Sequence, residues 1–340
     1  MTPSAWRCAR TGFAGVALAL LGIFGLRLAA SARAAASPAP AALPASTAGA
    51  FFPIVLVPPA PTPTGTPPPV TPPASGDWHA VLAYYRASAH LPGLGENTTW
   101  SSGAADHARY MVENDVLANS ENPATPFYTT QGATEAANSN LMLSDNVSTS
   151  DQQALDFWMA KPFHALGLLD PALLATGFGS YRHDAGPFDP YRMGAVIDVR
   201  QGLGAIPGSV RFPVKWPEAN ATVYLTSYDG NEQPDPLTSC PGYTAPSGLP
   251  IIVQVGPGGS NINVTAASFA QGSTALAYCI FGPGSYDNPL SDYQNLGRQI
   301  LAASDAVVLI PQQPLTPGLS YTVTMTVNGQ AMMWTFNVTS

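Results

Sequence analysis

At 340 residues the chain is long enough for two domains with flanking segments. Its first 36 residues hold four of the 13 basic side chains and no acid, so the remainder sets nine basic residues against 21 acidic ones, a formal charge of −12. A surface that acidic repels phosphate backbones, which argues against nucleic acid as a partner.

Arg7 and Arg10 precede an apolar run of 15 residues, Gly12–Leu26, and Ala29-Ala-Ser-Ala-Arg-Ala-Ala follows it. The run falls short of the roughly 20 apolar residues that a membrane span needs. Residues 1–36 therefore read as a secretory signal peptide with a small-residue cleavage site, which implies a secreted or cell-surface location. The alternative is an uncleaved N-terminal anchor, because Arg27 interrupts the segment in an unusual place. That anchor would be the one membrane contact. Past residue 36 just two cysteines remain, Cys240 and Cys279. An even pair in an exported chain reads as one disulfide, with two buried thiols as the alternative.

Residues 37–76 are rich in proline, alanine and threonine and cannot bury a core. Proline biases them toward extended polyproline II, so they read as a semi-rigid linker. Phe51–Val57 is an apolar island within it.

From Asp77 the texture changes. Trp78, Val81, Leu82, Tyr85 and Ala89 form one helical face, and Pro92-Gly93 is expected to close that helix. A second helix carries Trp100, Ala104, His107, Ala108 and Met111 on its apolar stripe, which makes His107 a core or cavity-wall histidine before a ligand. Asn119-Ser-Glu121 and Gln131–Leu141 follow. Ser150-Asp-Gln-Gln153 has the form of a capping box, and Ala154, Leu155, Trp158 and Met159 have helical spacing after it. Pro162 should stop that helix near Ala160 and leave His164 just past its end in a tight turn. Ala175–Tyr181 and Met193–Val199 read as strands with a Gly/Pro turn between them.

The stretch Trp158-Met-Ala-Lys-Pro-Phe-His164-Ala-Leu-Gly-Leu-Leu-Asp-Pro171 resembles the signature of the CAP superfamily (cysteine-rich secretory, antigen-5 and pathogenesis-related-like proteins; SCP domain), in its bacterial exported branch. Ala104, His107, Ala108 and Met111 match the family's second helix, while Asn119 stands where relatives usually have histidine. In Gln131–Leu141, one register puts Glu135 at the family glutamate; another pairs Asn140 with the family asparagine and leaves Ser139 in place of the acid. The resemblance covers roughly residues 78–200 and implies a three-layer α-β-α sandwich over 77–203.

Beyond about residue 207 helical periodicity disappears. Tyr321–Val327 and Gln330–Val338 flank Asn328-Gly329, which favours a two-residue type I′ turn. That register pairs Met325 with Met332, Val323 with Trp334 and Tyr321 with Phe336 on one face, with Thr322–Thr335 and Thr324–Met333 on the other. Residues 207–340 resemble the immunoglobulin-like β-sandwich found after bacterial CAP domains. The expected fold class is thus α+β: a CAP sandwich followed by an all-β immunoglobulin-like sandwich.

The resemblance also implies that two histidines and one or two acids converge in an open cavity, a donor set that suits zinc. Here His164, His107, Asn119 and Glu121 or Glu135 are expected to share one concave face. With asparagine replacing an imidazole, they should bind zinc weakly or not at all, so no cofactor is expected. Catalytic candidates are His164, Glu121 and Glu135, and Ser120 can be drawn into a Ser–His–Glu set. No nucleophile elbow, His-Glu-x-x-His helix or phosphate loop supports an enzyme. The first reading is a monomeric exported module binding a small-molecule, lipid or cell-surface ligand; the second is a His- or metal-dependent hydrolase of peptide or cell-wall material. A third makes the β-sandwich the active part, as an adhesin.

Overall fold

The computed structural model describes residues 77–184, 186 and 189–339; the signal segment, the linker and the Phe51–Val57 island lie outside the described residues. Among the described residues, no helix is long and apolar enough to cross a membrane.

Helix α1 (Trp78–Ala87) starts on Asp77, whose carboxylate accepts from the His79 amide. It ends at Ser88, ahead of Pro92-Gly93, because His90 takes a left-handed φ of 55° and the Leu91 amide folds back onto Arg86 O. Helix α2 (Thr98–Glu113) is capped by Asn97 and α3 (Thr130–Ala136) by Thr129. The capping box at Ser150 and Gln153 is present in full and opens α4 (Asp151–Met159), with Ala160 as its C-cap. The expected turn after it is corrected. Pro162 is the first residue of a further helix, α5 (Pro162–Leu168), so His164 lies in a first helical turn. A proline that cannot continue one helix suits position N1 of the next, where no amide donor is needed.

Strands Ser139–Ser144 and Phe178–Arg182 flank Met193–Asp198 in an antiparallel sheet. Alternation along the central strand gives the sheet two apolar faces. Met193, Ala195 and Ile197 pack with Trp158, Leu155 and Tyr85 of α4 and α1. Val196 and Leu141 pack with Ala104, Ala108 and Met111 of α2. The result is three layers, α-β-α. Gly179 is what lets α2 approach: a Cβ there would stand 2.1 Å from the Ala105 amide nitrogen.

Past residue 207 a two-stranded sheet pairs Ser227–Tyr228 with Ser247–Gly248, and two larger sheets form. One has the order Tyr278–Phe281, Ala306–Pro311, Ile251–Gln254, Val214–Trp216; the other is built on Val264–Gln271, Ser320–Val327 and Gln330–Val338. The last hairpin has the expected register, residue for residue, with Asn328 and Gly329 at φ 51° and 78°. The expectation of an all-β portion is corrected by helix α6 (Ser291–Ala303). Gly297 and Leu301 of α6 are buried, and half-buried Tyr293, Leu296 and Ile300 join Leu301 in an apolar stripe of helical spacing, a signal that the all-β expectation leaves out. The Cys240–Cys279 disulfide is formed, with a Cα separation of 5.5 Å.

These sheets pack directly on the helical layers. Tyr84 Oη donates to Thr222 O at 2.7 Å, Trp216 Nε1 to Ser88 Oγ at 3.1 Å, and Gln254 Nε2 to Leu169 O at 3.0 Å. One continuous buried cluster runs from Val81 and Trp158 to Val308 and Phe336.

Candidate functional site

His164 enters the site from α5. The first amides of any helix lack internal partners, and Lys161, the N-cap residue, supplies no side-chain acceptor. Glu232 fills that role from the loop after Tyr228. Its Oε1 accepts from the Phe163 amide at 3.0 Å, the His164 amide at 3.0 Å and His164 Nδ1 at 2.7 Å. The Glu232 side chain is 0% exposed, whereas that of His164 keeps 24%. Beside them the fully buried Lys161 ammonium meets Asp229 at 2.6 Å and lies 3.7 Å from the centre of the Phe157 ring. Asn140 Nδ2 donates to His164 O at 3.1 Å, which ties α5 to the sheet.

The far end of α5 is held by Arg86. Its guanidinium, 1% exposed, donates to the carbonyls of Pro92, Leu168, Asp170 and Leu173. Burial pulls this guanidinium down to about 10, with Asp170 opposing.

His107 forms a separate unit. Its Nδ1 faces Glu121 Oε1 at 2.9 Å and its Nε2 faces Ala118 O at 2.9 Å, with both side chains fully buried. A carbonyl accepts only, so Nε2 carries a proton and a further proton lies between Nδ1 and Glu121. Burial pushes the imidazole below its ordinary value, and the Glu121 hydrogen bond opposes that. Glu121 Oε2 also accepts the Thr129 amide at 2.9 Å. Both ring nitrogens are committed, so His107 braces α2 against the loop before α3.

Each of the other candidates bonds to neighbours of its own. Asn119 Nδ2 donates to Ala136 O at 3.3 Å, at the end of α3. Glu135, 2% exposed, accepts from Gln201 Nε2 at 2.8 Å and from Ser139 Oγ at 3.4 Å. Burial pushes its carboxyl up to about 8, with Asp198 adding to the rise and the Gln201 amide opposing it. Ser120 is exposed. Among the described residues, no group of three or more His, Cys, Asp and Glu side chains is placed to hold a metal ion. The carboxylate paired with His164 is Glu232, not Glu121 or Glu135. The sequence gives no local sign of it, since the partners stand 68 residues apart.

A cleft of about 480 Å³ opens on the helical unit, walled by Met142, Leu143 and Phe157 with Asp145, Gln153 and Tyr191 at its polar side. None of the expected site residues lines it, but Phe157 is also the ring beneath Lys161.

Three layers, an α2 stripe carrying His107 and a proline-started helix carrying His164 are now in place. Residues 79–196 match the CAP family model, described as the cysteine-rich secretory protein family. The match runs from α1 into the central strand of the three-layer unit. A crystal structure of an extracellular protein containing a SCP domain from Bacillus anthracis str. Ames is similar at 15% identity over 36% of this chain, with a TM-score of 0.28. The chain spans 39% of the length of that structure. No curated protein matches the chain.

Proposed function

We propose that the protein is an exported, non-enzymatic CAP-domain module that binds a small or lipidic ligand or a cell-surface partner. The observation that carries this reading is the separate bonding of the two signature histidines. His107 is enclosed with both nitrogens bonded, and His164 is held by Glu232. Their bonds brace the helices instead of gathering a nucleophile, its base and an oxyanion site, which a covalent mechanism needs together. The disulfide supports an oxidising, exported location.

The cleft walled by Met142, Leu143 and Phe157 also presents Ser144, Asp145, Thr149 and Gln153, so it offers a small ligand apolar contact and hydrogen-bonding groups together, within the about 300–1,000 Å³ common for ligand sites. The reading is tested with the neutral fluorescent probe 1-N-phenylnaphthylamine on the full chain. Saturable binding that Leu143→Trp reduces at least tenfold is expected. Hydrolysis of peptide or cell-wall fragments, abolished by His164→Ala, would overturn it in favour of the hydrolase. One observation favours that second reading: His164 is part-exposed and carboxylate-held, as general bases often are.

A further inference from the structure

We propose that the His164 site is completed from outside the CAP domain: Glu232 locks His164 as the Nδ1–H tautomer, so that Nε2 is the lone pair presented to a ligand.

The proton assignment follows from the donors. Glu232 Oε1 accepts two backbone amides at 3.0 Å each, and an amide can only donate. The third contact on that oxygen, His164 Nδ1 at 2.7 Å, is therefore also a donor. A neutral imidazole carries one N–H, so Nε2 is then an acceptor. Among the described residues no protein group is paired with Nε2, and the ring retains 24% exposure while Glu232 has none. Carboxylates that hold one imidazole nitrogen fix ring orientation and raise the basicity of the other.

The arrangement spans both parts of the chain. Lys161, at the N-cap, provides no side-chain acceptor, and the loop carrying Asp229 and Glu232 supplies one. Gly230 and Asn231 at φ 91° and 59° turn that loop so that Asp229 meets Lys161 and Glu232 meets α5. A second feature exceeds what helix capping needs: Glu232 Oε2 is buried with no hydrogen-bond partner, so the whole negative charge is kept behind the ring at a desolvation cost. With that charge in place, the ligand class is one that offers Nε2 a neutral hydroxyl or N–H donor; an anionic head group is repelled. Glu232 is thus a positioning residue acting through His164.

The ligand class rests on the binding reading above, while the ring state does not. It is read without any ligand, so its failure and the failure of probe binding are distinguishable. Long-range ¹⁵N NMR of the full chain should show His164 protonated at Nδ1 and bare at Nε2. Diethyl pyrocarbonate, mapped by mass spectrometry, should modify His164 at least tenfold faster than His107. Glu232→Leu removes the acceptor and should move the ring proton toward Nε2. Glu232→Gln keeps an oxygen for the two amides, so it controls for misfolding; it should slow carbethoxylation of His164 at pH 8 by removing the charge. An Nε2–H tautomer in the unmodified protein would overturn the proposal. So would a ring state and reactivity unchanged in both variants, which would make Glu232 a helix cap alone.

Discussion

Glu135 sits almost wholly enclosed beside Asp198, and the balance of its neighbours decides how the protein responds to pH. Burial, aided by Asp198, raises its carboxyl from 4.5 to about 8 in the folded chain. The unfolded chain keeps the ordinary value, so folding favours the neutral acid. Stability from this group is complete below about pH 4.5 and is lost as pH rises through about 8. Glu135→Gln keeps the shape and stays neutral. Its melting temperature relative to the unmodified protein should therefore climb from about pH 4.5 to about pH 8 and level off above that. A calorimetric difference that stays flat across that window would show that Glu135 titrates normally. Neither this group nor His164 was legible in full. Pro162, Ser150 and Gln153 act on backbone a few residues away, so the end of α4 and its cap can be read from sequence. The partners Gln201 and Glu232 stand 66 and 68 residues from the side chains they hold, and only the fold brings them in.

At the scale of elements, α5 is seven residues long, too short to persist without support. Its start is held by Glu232 and its end by Arg86, whose flat, forked guanidinium reaches four carbonyls at once. An ammonium is a point charge on a flexible stem and cannot span them. Arg86→Lys should cost about 2–3 kcal/mol in denaturant unfolding, as buried acceptors lose partners. A cost below about 0.5 kcal/mol would mean that water replaces the guanidinium without penalty. The disulfide closes a loop across 39 residues. Replacing both Cys240 and Cys279 by serine should lower stability by roughly 3–4 kcal/mol in the chain-entropy account. An unchanged denaturation midpoint would instead mean that the reduced chain stays locally ordered. The contrast between the last hairpin and α6 shows what sequence can carry at this scale. Asn328-Gly329 sets the register by local geometry, and the apolar pairs follow at period two. Helix α6 has no side-chain cap at Leu290 to mark its start, and its stripe of Tyr293, Leu296, Ile300 and Leu301 is a single helical signal in a stretch otherwise read as strands.

Across the whole molecule, the helical layers and the sheets past residue 207 bury one another. Tyr85 Oη donates to Asp156 Oδ1 at 2.6 Å and lies 2.9 Å from Tyr224 Oη, while Trp216 stands edge-on to Tyr85 at 6.2 Å and is 1% exposed. These groups belong to α1, α4 and the chain beyond 207, and each would face water if either side left. Apolar surface shared in this way makes the two sides unfold together, since opening one exposes the core of the other. The three-layer unit was readable from its stripes and signature; the shared core was not, because an apolar helix face does not say which partner will cover it. Trp216→Ala removes the largest side chain at this junction and leaves Ser88 Oγ without its indole donor. The loss should be about 3–5 kcal/mol. Hydrogen exchange should then speed up in α1 and α4 as well as in Ile251–Gln254, within a single denaturation transition. Two transitions, with protection of α1 and α4 untouched, would show that the three-layer unit holds its fold without the sheets and the loop that supplies Glu232.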